Sequence, residues 1–287
     1  MQLGAVLSQA DVAQDVGALR AYAQGVQDLG YHFLVVSDHV VGSIKEEHPE
    51  LDRVYSIDSY LHESLSLLTF LAGVAPKLGF LTSVVILPQR QTVLAAKQAA
   101  EIDILCGGRF RFGVGIGWNP VEYEALGMDF HNRARRYEEQ LKVMRRLWTE
   151  RTVTFKGRYH TLNAAGINPR PVQQPIPIWI GATAEKAVQR ATKIADGYLP
   201  LSPIAGTDWD GTMDKVNKWL EEAGRERVSF GIEGRLNAGT GTPDDWRKTV
   251  DMWRRFGASH LSVGTGGAGG PDAHIARLRD AKALIEG

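Results

Sequence analysis

The sequence predicts a single (β/α)8 barrel of the TIM type, an α/β fold with one small inserted hairpin, over residues 1–287. Three observations predict it. Eight short apolar runs with strand character recur along the chain, helical spacing follows nearly every one, and no composition shift marks a second domain. The length suits the ~250 residues such a barrel uses, and a hydrophobic content of 44% supplies a large core. An open, doubly wound sheet is the alternative arrangement of the same alternation.

Gln2 to Leu7 is the first strand. Leu19, Ala23, Val26 and Leu29 mark one face of the following helix, which Gly30 ends. Phe33 to Val36 is the second strand and runs into Ser37-Asp38-His39. The polar segment from Val41 to Ser59, with Lys45, Glu46, Glu47, His48 and Arg53, has no periodicity and reads as a functional loop or lid. Tyr60 to Val74 is predicted helical. Leu78 to Leu87 is almost wholly apolar, as a strand buried on both faces requires, and Pro88 stops it. Ala95, Ala99, Ile102 and Cys106 give a helix that Gly107-Gly108 break, and Phe110 to Ile116 is the fourth strand.

Tyr137, Leu141, Met144 and Trp148 stripe the next helix. Thr152 to Phe155 and Tyr159 to Leu162 flank Lys156-Gly157-Arg158 as the inserted hairpin. A proline-punctuated connector from Pro169 to Pro177 leads to a fifth strand at Ile178 to Ile180 and a helix at Ala184 to Ala195. Tyr198 to Leu201 is the sixth strand, with a helix from Trp209 to Ala223. Val228 to Ile232 is the seventh. Its helix carries Trp246, Val250 and Trp253 and opens at Thr242 with Pro243 in the first turn. His260 to Val263 is the eighth strand, and Ile275, Leu278 and Ala281 lie on the last helix.

Lys+Arg and Asp+Glu both number 33, so no net field attracts nucleic acid or anionic lipid, and a small-molecule substrate is the expected partner. The local cluster Arg133, Arg135, Arg136, Arg145 and Arg146 reads as a solvated helix face, with phosphate binding as the alternative. A single cysteine, Cys106, excludes an internal disulfide and fits a reducing compartment, so the expected location is the cytoplasm. Met1 to Leu7 does not read as a signal peptide, and no apolar run is long enough for a membrane span. The sequence lacks the zinc-protease, hydrolase-elbow and Walker patterns, and His39, His48 and His62 match no metal-ligand spacing.

In such barrels chemistry sits just after the strands. His39 after the second strand could bond a cofactor carbonyl or carry a proton near neutral pH, while Asp38 could equally cap a turn beside a structural histidine. Thr82-Ser83-Val84 puts hydroxyls inside the third strand, where bonding to the neighbouring backbone is the simpler role. Gly113, Gly115 and Gly117 alternate before Trp118-Asn119. They leave one strand face bare, so either a planar ring lies close to the backbone or the barrel turns a tight corner. Gly181-Ala182-Thr183 opens a helix whose amino end could meet a phosphate, or where Thr183 is an ordinary cap with Glu185 in the first turn. The glycine-rich run Gly264 to Gly270 after the eighth strand is a phosphate loop or a mobile loop.

These residues carry a family resemblance. The run from Gly79 to Gly127 resembles the central block of the luciferase-like monooxygenase superfamily. So do Asp38-His39, Arg136-Tyr137-Glu138-Glu139, Leu147-Trp148-Thr149-Glu150, Phe155-Lys156-Gly157, Pro177-Ile178-Trp179-Ile180-Gly181 and Ala195-Asp196-Gly197. Within the superfamily the wording is most similar to the actinobacterial branch assigned to coenzyme F-420. The resemblance implies a bacterial luciferase-like barrel with an isoalloxazine-like ring across its mouth. It implies a non-prolyl cis peptide at Ser83-Val84, forming a bulge behind the ring. It places Gly115 and Gly117 beside the ring, Asp38 and His39 at its polar edge, and the N–H groups of Gly181, Ala182 and Thr183 at the phosphate. Relatives are often dimers, so a homodimer is the expectation.

One position departs from the family pattern. Glucose-6-phosphate dehydrogenases of the family use an acidic glutamate where this chain has Trp118, which puts a sugar phosphate in doubt and suggests an aromatic wall. His39 is the expected proton carrier. The leading expectation is hydride transfer between F-420 and an unidentified organic substrate. A flavin mononucleotide (FMN) monooxygenase using O2 is the alternative, and a cofactor-free degenerate barrel the third.

Overall fold

The computed structural model describes residues 1–51 and 55–287. Arg53, counted above with the polar loop, lies outside the described residues. The strands are β1 (Gln2–Val6), β2 (Phe33–Val36), β3 (Gly79–Thr82), β4 (Val85–Ile86), β5 (Phe110–Gly115), β6 (Val153–Lys156), β7 (Thr161–Ala165), β8 (Ile178–Ala182), β9 (Gly197–Pro200), β10 (Gly231–Asn237) and β11 (His260–Gly264). All except the β6–β7 pair run parallel in one sheet, in the order β3-β2-β1-β11-β10-β9-β8-β5-β4. A further β3–β5 pairing closes that sheet on itself. Because β3 and β4 are two pieces of one strand, the result is an eight-stranded barrel. The break between them falls at Ser83-Val84, whose peptide bond is cis.

Ten helices among the described residues wrap the barrel: α1 (Gln9–Val12), α2 (Val16–Asp28), α3 (Ser64–Val74), α4 (Thr92–Leu105), α5 (Pro120–Ala125), α6 (Arg133–Thr149), α7 (Glu185–Ile194), α8 (Trp209–Glu222), α9 (Pro243–Arg255) and α10 (Pro271–Glu286). Alternation along the strands divides the apolar residues into two cores. Residues such as Leu34, Phe80, Phe112, Ile180 and Val263 face outward and join the helices in the larger cluster. Phe33, Val35, Leu81, Trp179 and Leu199 point inward and fill the barrel. Glycines make room for the two large inward rings. A Cβ on Gly4 would lie 2.1 Å from the Phe33 ring, and one on Gly231 would lie 2.3 Å from the Trp179 ring.

Charge also fills the barrel. The Arg111 guanidinium sits between Phe33 and Trp179, 4.3 Å and 4.6 Å from their ring centroids. Its Nη1 is 2.7 Å from Glu233 Oε2. The Ser262 hydroxyl donates to the other oxygen of Glu233, and His260 packs edge-on against Trp179. Burial, with help from the Arg111 charge, holds the His260 imidazole down to about 3, so it is neutral.

Three elements in particular differ from expectation. Helix α3 starts at Ser64 rather than Tyr60, because the Glu63 carboxylate accepts from the Leu65 and Ser66 N–H groups and fixes the cap there. A short helix, α5, follows Asn119 and was not anticipated. The seventh strand is shifted along the chain: Arg227–Ser229 is a 3-10 turn, Val228 is 88% exposed, and β10 begins at Gly231. The inserted hairpin is formed by β6 and β7, and α6 anchors it. Glu139 accepts from the N–H groups of Arg158 and Tyr159 and from His160 Nδ1, at 2.8–2.9 Å. Among the described residues no helix is long and apolar enough to cross a membrane.

Candidate active site

The carboxyl ends of the barrel strands form one mouth, and the chain leaving β2 supplies its first functional side chains. Asp38 is buried, and its carboxylate is fully engaged by the protein. It accepts from Ser64 Oγ (2.8 Å), Arg90 Nη2 (2.8 Å) and the Ile86 N–H (3.2 Å). Of the two roles expected for Asp38, these bonds support the turn-bracing one. Asp38 braces β4 and α3 from behind the mouth.

His39 does face the mouth, with its side chain 18% exposed. Its ring stacks on Tyr55 at 3.6 Å between centroids and meets the edge of Trp118 at 6.4 Å. Its Nδ1 lies 3.4 Å from Glu122 Oε2. Glu122, on α5, is the residue that sequence reasoning missed. It is 1% exposed and also accepts from the Val40 N–H (2.6 Å), Gln89 Nε2 (3.0 Å) and Tyr55 Oη (3.1 Å). Burial alone would raise its pKa, but hydrogen bonds from His39, Val40 and Gln89 outweigh it and hold the carboxyl at about 2. Its signal was the Asn119-Pro120 cap, which starts α5 and turns Glu122 inward. Asn119 itself is 1% exposed, caps the Val121 N–H and donates to Tyr55 Oη at 2.9 Å. Its side chain is thus engaged within the protein, bracing Tyr55 and the start of α5.

The alternate glycines do not leave a bare face: a Cβ on Gly113 would meet the Thr82 carbonyl oxygen at 1.7 Å and one on Gly117 the Ile86 side chain at 2.6 Å, so the close approach of neighbouring strands uses the space. The break after β3 lifts Val84 over β5 and β8. A Cβ on Gly115 would meet Val84 Cγ2 at 2.8 Å, and one on Gly181 would meet Val84 Cγ1 at 2.6 Å. Any ring in the mouth would therefore lie on the half-buried Val84, with the two glycines seating that valine. Gly117 has φ +63° and turns the chain out of β5 toward Trp118. Thr82 is fully buried and donates to the Gly113 carbonyl at 2.7 Å, so the simpler role applies and it is no mouth residue. Ser83 differs: its Oγ accepts from Arg235 Nη2 at 2.6 Å.

Beyond Val84, Gly181 and Ala182 close β8 and Thr183 is exposed. The cap of α7 is Ala184, not Thr183, with no side-chain hydrogen bond. Glu185 is turned to Lys215 Nζ at 2.9 Å, which offsets its charge near that amino end. The basic cluster on α6 is not one solvated face. Arg145 and Arg146 pair with Asp196 and Glu150. Arg133 and Arg136 keep buried Nε atoms without partners, as does the Tyr137 hydroxyl. The glycine-rich loop after β11 is tied down, with the Gly267 N–H donating to Asp11 Oδ2 at 2.9 Å. His39, His48 and His62 have separate partners in Glu122, Glu50 and the Ala13 carbonyl. Burial pushes the Cys106 thiol up to about 11, which leaves it unreactive.

Comparison with known proteins gives consistent relatives. The family model for luciferase-like monooxygenases matches residues 2–284. An uncharacterized protein of Mycobacterium tuberculosis is 29% identical over 226 residues, 76% of each chain. The FMNH2-dependent dimethylsulfone monooxygenase of Pseudomonas putida is 32% identical over 142 residues, 48% of this chain and 39% of that one. The coenzyme F420-dependent tetrahydromethanopterin reductase of Methanopyrus kandleri shares the fold at a TM-score of 0.73 and 16% identity, over 99% of this chain and 98% of that one.

Proposed function

The chain belongs to the luciferase-like monooxygenase family, and from that premise we propose that it is an oxidoreductase moving a hydride between coenzyme F-420 and a small organic substrate at the barrel mouth. The observation that carries this reading is the His39–Glu122 pair. A buried ionised carboxylate beside Nδ1 favours the tautomer with the proton on that nitrogen, which leaves Nε2 free toward the mouth as the atom to exchange a proton with substrate. Stacking on Tyr55 fixes the plane of the imidazole.

The residues present fit a planar ring with an anionic tail. Val84 offers an apolar platform, and Trp118 and His39 wall one side. The unpartnered Nε atoms of Arg133 and Arg136, together with the amino end of α7 and Thr183, suit the phosphate. When bound, the deazaflavin itself accepts or donates the hydride. The protein orients the substrate carbon over the ring and manages the proton. In alcohol oxidation, for example, the hydroxyl proton passes to His39 Nε2. Val40, next to His39, and Ile44 and Ile57 in the loop after β2 are exposed apolar side chains, which suits a substrate of low polarity.

A flavin mononucleotide monooxygenase is the second reading, favoured by the FMNH2-dependent relative of Pseudomonas putida. Absorbance titration of the purified protein with each cofactor separates the two. The expected result is micromolar binding of F-420, with His39→Asn lowering kcat by about 10²–10⁴-fold while cofactor affinity stays within a few fold. Tighter binding of flavin mononucleotide supports the second reading. Binding of neither cofactor leaves a cofactor-free barrel and overturns both.

A further inference from the structure

Among the described residues the barrel interior holds two guanidinium groups, Arg111 and Arg235, and one carboxylate, Glu233. Arg111 takes the carboxylate of Glu233 at 2.7 Å, and His260 is neutral. Arg235, next inward on β10 after Glu233, has no ion pair among the described residues. Its Nη2 donates to a neutral hydroxyl, Ser83 Oγ, at 2.6 Å, and its Nε is buried without a partner. In the strand order β10 stands opposite β3, with three strands between them on either side. The Arg235 side chain therefore crosses the barrel and ends under the Ser83-Val84 bulge, forming the floor of the mouth. Desolvation lowers its pKa, and the nearby Glu233 charge offsets only part of that cost because no carboxylate bonds the guanidinium directly.

We infer that Arg235 is the counter-ion for the negative charge that a redox ring in the mouth acquires on reduction; this rests on the ring occupying the mouth as proposed above. Two electrons and one proton added to a neutral ring leave one net negative charge on it. A guanidinium beneath the ring stabilises that form over the oxidised one. Arg111 cannot substitute, because Glu233 already neutralises it.

The test is an anaerobic titration of F-420 and of flavin mononucleotide, each oxidised and dithionite-reduced, into the wild type, Arg235→Lys and Arg235→Met. Arg235→Met is expected to lose about tenfold of the preference for the reduced form, equivalent to ~30 mV in the midpoint potential of a two-electron couple. Arg235→Lys is expected to keep most of that preference. An unchanged preference in Arg235→Met, or equal weakening of both forms, overturns the inference while the reading of the mouth stands. Wild-type protein that binds neither ring overturns both. If Arg235→Met does not fold, Arg235→Gln serves the same comparison.

Discussion

At the scale of single residues, Glu122 governs the mouth. It gathers donors from the β2 loop, the turn after β4 and Tyr55 around one buried carboxylate. Its pKa is depressed from 4.5 to about 2, so its contribution to stability is full above pH ~4.5 and is lost as pH falls through 2. That contribution is on the order of 3 kcal/mol. Glu122→Gln should therefore be less stable than wild type at pH 7, and the gap should narrow as pH drops from about 4.5 toward 2 in urea unfolding. A gap independent of pH would refute the assignment. His39 was legible in the sequence because it follows a strand. Glu122 was hidden because its importance comes from partners on three separated segments, and spacing along the chain does not register such convergence.

At the scale of elements, Asp38 fastens β4 to α3. It bonds the Ile86 N–H, the Ser64 hydroxyl and Arg90, while Arg90 keeps a second partner in Glu63 at 2.8 Å. Asp38→Ala strands those donors, which should cost about 3 kcal/mol. It should also weaken cofactor binding several fold, because the Val84 platform hangs from β4. Guanidinium unfolding and a cofactor titration check the two effects, and loss of neither would remove the bracing role. Most strands were legible from their apolar runs. Strand β10 was not, because its inward positions are Glu233 and Arg235, which erase the apolar signature and make the exposed Val228 look like the better strand residue. The early start assigned to α3 has a similar cause, since its true first turn is set by a Glu63 cap that hydrophobic periodicity does not report.

At the scale of the whole molecule, the barrel was legible because alternation of strand and helix has few packed solutions. Its charged interior was not, because inward and outward faces share one strand period. Ligand binding should register on the entire fold. A cofactor present at 100 times its dissociation constant adds about 2.7 kcal/mol to stability, which should raise Tm by about 5 °C. The cofactor giving the larger rise at equal concentration is the tighter-bound one, and no rise with either would contradict occupancy of the mouth. The seat of Val84 on Gly115 and Gly181 has an evolutionary corollary. Three strands share one steric compartment, so single changes there are trapped. Gly115→Ala should cost about 1–3 kcal/mol alone and much less beside Val84→Ala in a double-mutant cycle. Homologues that reshape this spot to admit a different ring are expected to have exchanged the trio together, leaving covariation among these positions as the trace of that history.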